Sequence, residues 1–232
     1  MKRVVITGGA GGIGSAIARA FSENGYYVTI GYHQKKERAE HLAAAIGGKA
    51  HHVDVRDRES VCAFYRAAGQ ADVLINTAGI AQQKLFTDIS EEEWDAMMEV
   101  HVKGAFRMCQ AFLPDMIHKK SGSIVNIASM WGQVGASCEV HYSAAKAALI
   151  GMTKALAKEL GPSGIRVNCV SPGVIETDMM AAFSEEDKEA LREETPLCRL
   201  GTSQDVAQAV LFAAESRFLT GQVIAPNGGF VI

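Results

Sequence analysis

No apolar run in the 232-residue sequence approaches the roughly 18–20 residues that a helical membrane span requires. Nor is there a block of like charge. The 23 basic and 26 acidic residues leave a net charge of −3 and are interspersed, which argues against a nucleic-acid-binding arm or an acidic tail. Cysteine is scarce. Cys62, Cys109, Cys138, Cys169 and Cys198 are odd in number and widely spaced, with no Cys-x-x-Cys pair and no histidine at zinc-finger spacing. That pattern excludes a disulfide scaffold and suits a reducing cytoplasm. Proline is equally sparse, and five prolines against 48% apolar residues exclude a disordered or collagenous chain. Lys2-Arg3 before an apolar stretch reaching Ala20 imitates a signal peptide, but five glycines between residues 8 and 14 interrupt it. The length fits one domain over residues 1–232, and no linker or internal repeat marks a second.

What is present is a rhythm. Val4-Val5-Ile6 ends in a glycine cluster, and Ile13, Ile17 and Phe21 then recur every four residues, as in a helix laid on a sheet. The spacing predicts further strands at Tyr27–Ile30, His52-Val53, Val73–Ile75, Ser123–Ile127, Arg166–Val170 and Gln222–Ile224. Between them it predicts a helix ending near Ala45, one from Arg58, a long one from Ser90 to Leu113, and one from His141 to Leu160. Continuous apolar strands separated by helical crossovers indicate an α/β fold, a doubly wound parallel sheet of Rossmann type with helices on both faces. Residues 174–201 break the rhythm and are expected to form a lid over a site.

The stretch Thr7-Gly8-Gly9-Ala10-Gly11-Gly12-Ile13-Gly14 lies between the first strand and the first helix. Glycines there permit a tight turn and let backbone N–H groups approach a pyrophosphate, so a dinucleotide is the expected cofactor. At the end of the second strand a carboxylate would select NAD, whereas Gly31-Tyr32-His33-Gln34-Lys35-Lys36 offers no acid. NADP(H) is therefore favoured over NAD(H), with His33 as a candidate contact.

Tyr142 and Lys146 are four residues apart in a helical segment, so their side chains share one face. A nearby ammonium is expected to favour the phenolate and fit the tyrosine for proton exchange with a carbonyl oxygen. Ser129 precedes Tyr142 by thirteen residues, at the C-terminal end of the fifth strand, the edge where open α/β sheets bind ligands.

With these residues in place the chain resembles the short-chain dehydrogenase/reductase superfamily over nearly its whole length. The matching motifs are Thr7-Gly8 with Gly12, Ile13 and Gly14, then Asp54-Val55, then Asn76-Thr77-Ala78-Gly79, then Ser129, Tyr142 and Lys146. Pro172-Gly173 with Ile175 and Thr177 follows, and Asn227-Gly228-Gly229 ends the series. The resemblance implies that Asp54 and Val55 touch adenine, and that Asn76, Ala78 and Gly79 lie near the cofactor. It also implies that Pro172, Gly173, Ile175 and Thr177 hold the nicotinamide end, and that Lys146 also binds the nicotinamide ribose. A homodimer or homotetramer built partly on helices 90–113 and 141–160 is implied as well.

Two positions depart from the family pattern. His101 stands where the family has its fourth catalytic residue, an asparagine whose backbone carbonyl holds a relay water, and Pro226 stands where a valine is usual. With the asparagine replaced, the local helix distortion is left open.

The sequence as a whole is similar to bacterial 3-oxoacyl-[acyl-carrier-protein] reductases. Ser129–Tyr142 together with His101 resembles the reductases that act on the 5-aminopentanone modification of elongation factor P. The carbonyl substrate is thus expected on a carrier protein or on elongation factor P. A nucleotide-sensing protein without turnover would not need Ser129, Tyr142 and Lys146 together.

Other residues carry two readings each. Met179, Met180 and Phe183 could line an acyl pocket or pack beneath the lid. Lys119 and Lys120 could attract an acidic carrier or form a solvated helix end. Glu139 could face an amine-bearing substrate, point into solvent or cap the next helix. His51 and His52 alternate across a strand and cannot chelate one ion, so no metal is expected.

Overall fold

The computed structural model describes residues 1–177, 180 and 183–232. Seven parallel strands form one sheet in the order β3-β2-β1-β4-β5-β6-β7. They are β1 Arg3–Thr7, β2 Tyr27–Tyr32, β3 Lys49–His52, β4 Val73–Asn76, β5 Gly122–Ile127, β6 Ile165–Val170 and β7 Val223–Ile224. The strand order reverses between β1 and β4, which are paired from Val4↔Val73 to Thr7↔Asn76. Parallel α/β sheets open a ligand crevice at such a reversal.

The strands are apolar on both faces because each face meets a layer of helices. Val4 and Ile6 pack with α1 (Gly12–Glu23), α2 (Lys36–Ala45) and α9 (Ser203–Glu215). Val5 points the other way, toward α3 (Arg58–Ala68), α5 (Gly104–Lys119) and α7 (Val140–Leu160). Leu74 and Ile124 share the second layer, while Val73, Ile75, Val125 and Ile127 share the first. The period of two along each strand therefore divides one apolar run between two cores. Among the described residues no helix is long and apolar enough to cross a membrane.

The helix predicted from Ser90 to Leu113 is different in two respects. Ser90 caps α4 (Glu91–Met98) through a reciprocal box with Glu93, but Glu99–Lys103 is then a π-helical turn in which the Gly104 N–H bonds to Glu99 O. Beyond it α5 runs through Pro114 to Lys119, with Phe112 and Met116 fully buried on either side of the proline. Burial of those two side chains in the second core outweighs the hydrogen bond that proline removes. Two further helices are short. α6 is Trp131–Val134, and α8, Glu185–Glu194, is capped by Ser184 and buries none of its residues.

Candidate active site

The glycine turn is built by close approach. Gly8 has φ +63°, and a Cβ on Gly14 would sit 2.3 Å from Gly8 O. Only glycine fits either place, so the turn brings the N-terminus of α1 up to the end of β1 with bare backbone. Ile13 packs partly buried against the first core. Thr7, expected to touch the cofactor, spends its hydroxyl on the protein: Oγ1 donates to Ile75 O and accepts from Thr77 N and Ala78 N at 3.1 and 3.2 Å. It therefore pins the 77–79 segment against the turn, where Ala78 N lies 3.0 Å from where a Gly8 Cβ would be. Gly12 faces Thr177, whose Cγ2 lies 3.1 Å from a built Cβ.

At the other end of the crevice His33 and Asp54 meet, Nε2 to Oδ2 at 3.5 Å. Arg56, which no sequence motif singles out, folds back onto the same carboxylate, its guanidinium donating three hydrogen bonds of 3.0, 3.2 and 2.7 Å. Its hydrogen bonds are the chief reason that the Asp54 carboxyl titrates at about 2. Val55 is buried beneath and accepts from Arg107 through its carbonyl. His52 packs against the rings of Tyr32 and His33, with His51 on the opposite side of the strand. Among the described residues no cluster of His, Cys, Asp or Glu could hold a metal ion.

Ser129, Tyr142 and Lys146 come together at the C-terminal edge of β5. Ser129 is buried, its hydroxyl accepting from Trp131 N, and Met130 N bonds to Pro172 O, which ties this corner to the 172–177 segment. Gly173 packs on Asn227, and Ile175 pairs with Gly201. The terminal Asn227 thus braces the segment from behind, donating to Val231 O and accepting from Gly229 N. Asn76, Asn126 and Thr153 form a buried chain of hydrogen bonds at 2.9 Å each that locks β4, β5 and α7 together.

The electrostatics differ from the expected lowering of the tyrosine. Burial pushes the Tyr142 phenol up to about 12, with the hydrogen bond from Ser129 pulling the other way and Glu139 adding to the rise. Burial brings Lys146 down to about 8. Its ammonium lies 5.4 Å from the centroid of the Tyr142 ring but donates to Ile127 O at 2.9 Å. Desolvation therefore outweighs the Ser129 hydrogen bond, and Tyr142 is held as an acid.

His101 is 2% exposed and reaches inward from the π turn. Nε2 lies 2.8 Å from Ile80 O and 3.2 Å from Ile80 N, and the ring meets Tyr142 edge-on with centroids 5.5 Å apart. A Cβ on Gly79 would fall 2.4 Å from Cε1. The helix distortion that the asparagine would have announced is thus present with histidine in its place. Glu139 stands at the N-cap position of α7, but its side chain makes no capping hydrogen bond and turns instead to Gln83. It is half-buried, accepts from Gln83 Nε2 at 3.2 Å, and burial raises its carboxyl. Its neighbour His141 is buried against Gln82, which donates to Glu93.

In the expected lid Met180 is buried and Phe183 half-buried, while Met179 lies outside the described residues. A cavity of about 200 Å³ is lined by Val174, Ile175, Leu197 and Pro226 among others. Lys119 pairs with Asp72 at 3.4 Å, and Lys120 closes α5 with φ 50°.

A family model described as enoyl-(acyl carrier protein) reductase matches residues 8–231. The 3-oxoacyl-[acyl-carrier-protein] reductase of Staphylococcus aureus (strain Mu50 / ATCC 700699) is 39% identical over 98% of this chain and 97% of its own. The chain belongs to the short-chain dehydrogenase/reductase family. The enzyme of the same name from Thermotoga maritima is 41% identical over 100% of this chain and 98% of its own. A crystal structure of 3-oxoacyl-[acyl-carrier protein] reductase from Brucella melitensis ATCC 23457 superposes with a TM-score of 0.93 at 35% identity, covering 100% of this chain and 92% of that one. The Rossmann-type sheet and the oxidoreductase class of this chain follow from that membership.

Proposed function

We propose that this short-chain dehydrogenase/reductase is an NADPH-dependent carbonyl reductase acting on 3-oxoacyl groups presented as thioesters by an acyl carrier protein. The observation that carries this reading is the convergence of Ser129, Tyr142 and Lys146 at the C-terminal edge of β5. The bare backbone at Gly8 and Gly14 fits a pyrophosphate, and the pair His33 and Arg56 fits a 2′-phosphate better than a 2′-hydroxyl. Asp54, Val55, Ala78 and Gly79 would flank the adenosine, and Pro172, Gly173, Ile175 and Thr177 the nicotinamide. The reduced nicotinamide, when bound, supplies hydride to the carbonyl carbon.

Ser129 donates a hydrogen bond to the substrate oxygen, and Tyr142, protonated at neutral pH, gives that oxygen its proton. Lys146 holds positive charge beside the phenolate that remains and orients the nicotinamide ribose. The unpaired cysteines fit a reducing cytoplasm. Exposed Phe106 and Ile117 on α5 fit a homodimer or homotetramer interface. The test is oxidation of NADPH, followed by its absorbance, with acetoacetyl-acyl carrier protein. Turnover supports the reading, and NADPH binding without turnover of any 3-oxoacyl thioester refutes it.

Glu139 favours a second substrate. A half-buried carboxylate whose field reaches Tyr142 suits a ketone with a distant ammonium, as on the 5-aminopentanone form of elongation factor P. An aminoketone should then surpass the acetoacetyl thioester in kcat/KM, and Glu139→Gln should reverse the order. An unchanged ratio leaves the acyl-carrier reading.

A further inference from the structure

The imidazole of His101 touches two parts of the site that its own backbone does not reach. Its Nε2 faces both polar groups of the Ile80 peptide, accepting from N–H in one tautomer and donating to C=O in the other. The shorter contact to Ile80 O and a buried Nδ1 with no partner for a proton favour Nε2 as the donor. Ile80 continues the segment whose Thr77 and Ala78 are pinned by Thr7 and whose Ala78 abuts Gly8. A side chain that fixes Ile80 thereby fixes the wall of the glycine turn. The other contact is the ring itself, which stands edge-on to Tyr142 at an interplanar angle of 86° and limits how that ring can tilt. Gly79 leaves room for this arrangement, since any side chain there would displace the imidazole.

The π turn is what aims the residue. With Gly104 N bonded to Glu99 O, one extra residue is accommodated in the turn, and His101 is directed inward between the 79–80 segment and α7. The ring is also held neutral. Burial and the neighbouring Lys146 ammonium both oppose its protonation.

We propose that His101 is a positioning residue that couples the cofactor wall to the proton donor through its side chain, by hooking Ile80 and buttressing Tyr142. The proposal rests on the assignment of Tyr142 as donor. The two contacts are separable by substitution. His101→Gln retains an amide that can hook the Ile80 peptide but lacks the ring, whereas His101→Phe retains a ring and lacks the hook.

Two quantities are to be measured, the dissociation constant of NADPH and the single-turnover rate of carbonyl reduction at saturating NADPH. In His101→Gln the dissociation constant should stay within about threefold of wild type while the rate falls at least about tenfold. In His101→Phe the pattern should cross, with the dissociation constant raised at least about tenfold and the rate within about threefold. Parallel losses in both variants, following their melting temperatures, would overturn the proposal, as would no change in either. If one variant fails to fold, Gly79→Ala attacks the same contact from the other side. It should weaken NADPH binding and slow reduction together, and wild-type behaviour there would overturn the coupling. Tyr142→Phe serves as the control. If it still turns over, the assignment of the donor fails, whereas an inactive Tyr142→Phe without the crossed pattern removes only the role of His101.

Discussion

The Lys146 ammonium and the Tyr142 ring stand 5.4 Å apart, with the ammonium committed to Ile127 O rather than to the phenol oxygen. The pair is thus set as a protonated phenol at about 12 beside an amine at about 8. Reduction consumes a proton, and this is the state that can give one.

The pH dependence of reduction follows from those positions. Tyr142 keeps its proton across the physiological range, while Lys146 loses its charge as pH rises through about 8. The rate of reduction should therefore decline above about pH 8, as the positive charge that stabilises the phenolate disappears. A rate that stays flat to about pH 10 would contradict this order of titration.

Acid should weaken the fold through two histidines. Burial lowers His101 well below 6.5 and lowers His141 below it, so below about 6.5 the unfolded chain binds protons that the native state refuses. Stability must fall as pH drops through that window, by up to about 1.4 kcal/mol per pH unit for each such group. Denaturant titrations of wild type and His101→Gln between pH 7 and 5 test the sign. The variant should lose less stability on acidification, and equal losses would exclude His101 as a contributor.

Thr7→Val removes the acceptor of Thr77 N–H and Ala78 N–H without changing the side chain's shape. The expected cost is about 1–3 kcal/mol, with the melting temperature lowered and Thr7→Ser restoring it. A melting temperature unchanged in Thr7→Val would show that these groups find other partners.

Arg56→Ser should remove positive charge from the adenosine end and leave Asp54 without its main partner. NADPH should then bind at least about tenfold more weakly while NADH changes little. Equal losses for the two cofactors would place Arg56 outside 2′-phosphate recognition.

Much of this was legible in the sequence because it is local. Val4-Val5-Ile6 before the glycines announces strand, turn and helix, and the spacing of Tyr142 and Lys146 places both on one face of α7. What was not legible depends on residues distant in sequence. The π turn at Glu99–Lys103 adds one residue to a helix without disturbing its apolar pattern enough to show. Pro114 reads as a stop, and only the burial of Phe112 and Met116 in a remote core shows why α5 passes through it. The return of Arg56 onto Asp54 has no periodic signature. The sign of the Tyr142 shift is likewise decided by burial under neighbouring elements, which spacing along one helix does not reveal.

The proposed reaction stands or falls with Tyr142 as the proton donor. Its most direct test is the turnover of Tyr142→Phe beside the NADPH dissociation constant of the same variant. In this variant kcat should fall about 10²–10⁴-fold with the dissociation constant unchanged, because only the phenolic hydroxyl is removed. Turnover close to wild type on a 3-oxoacyl substrate would contradict it.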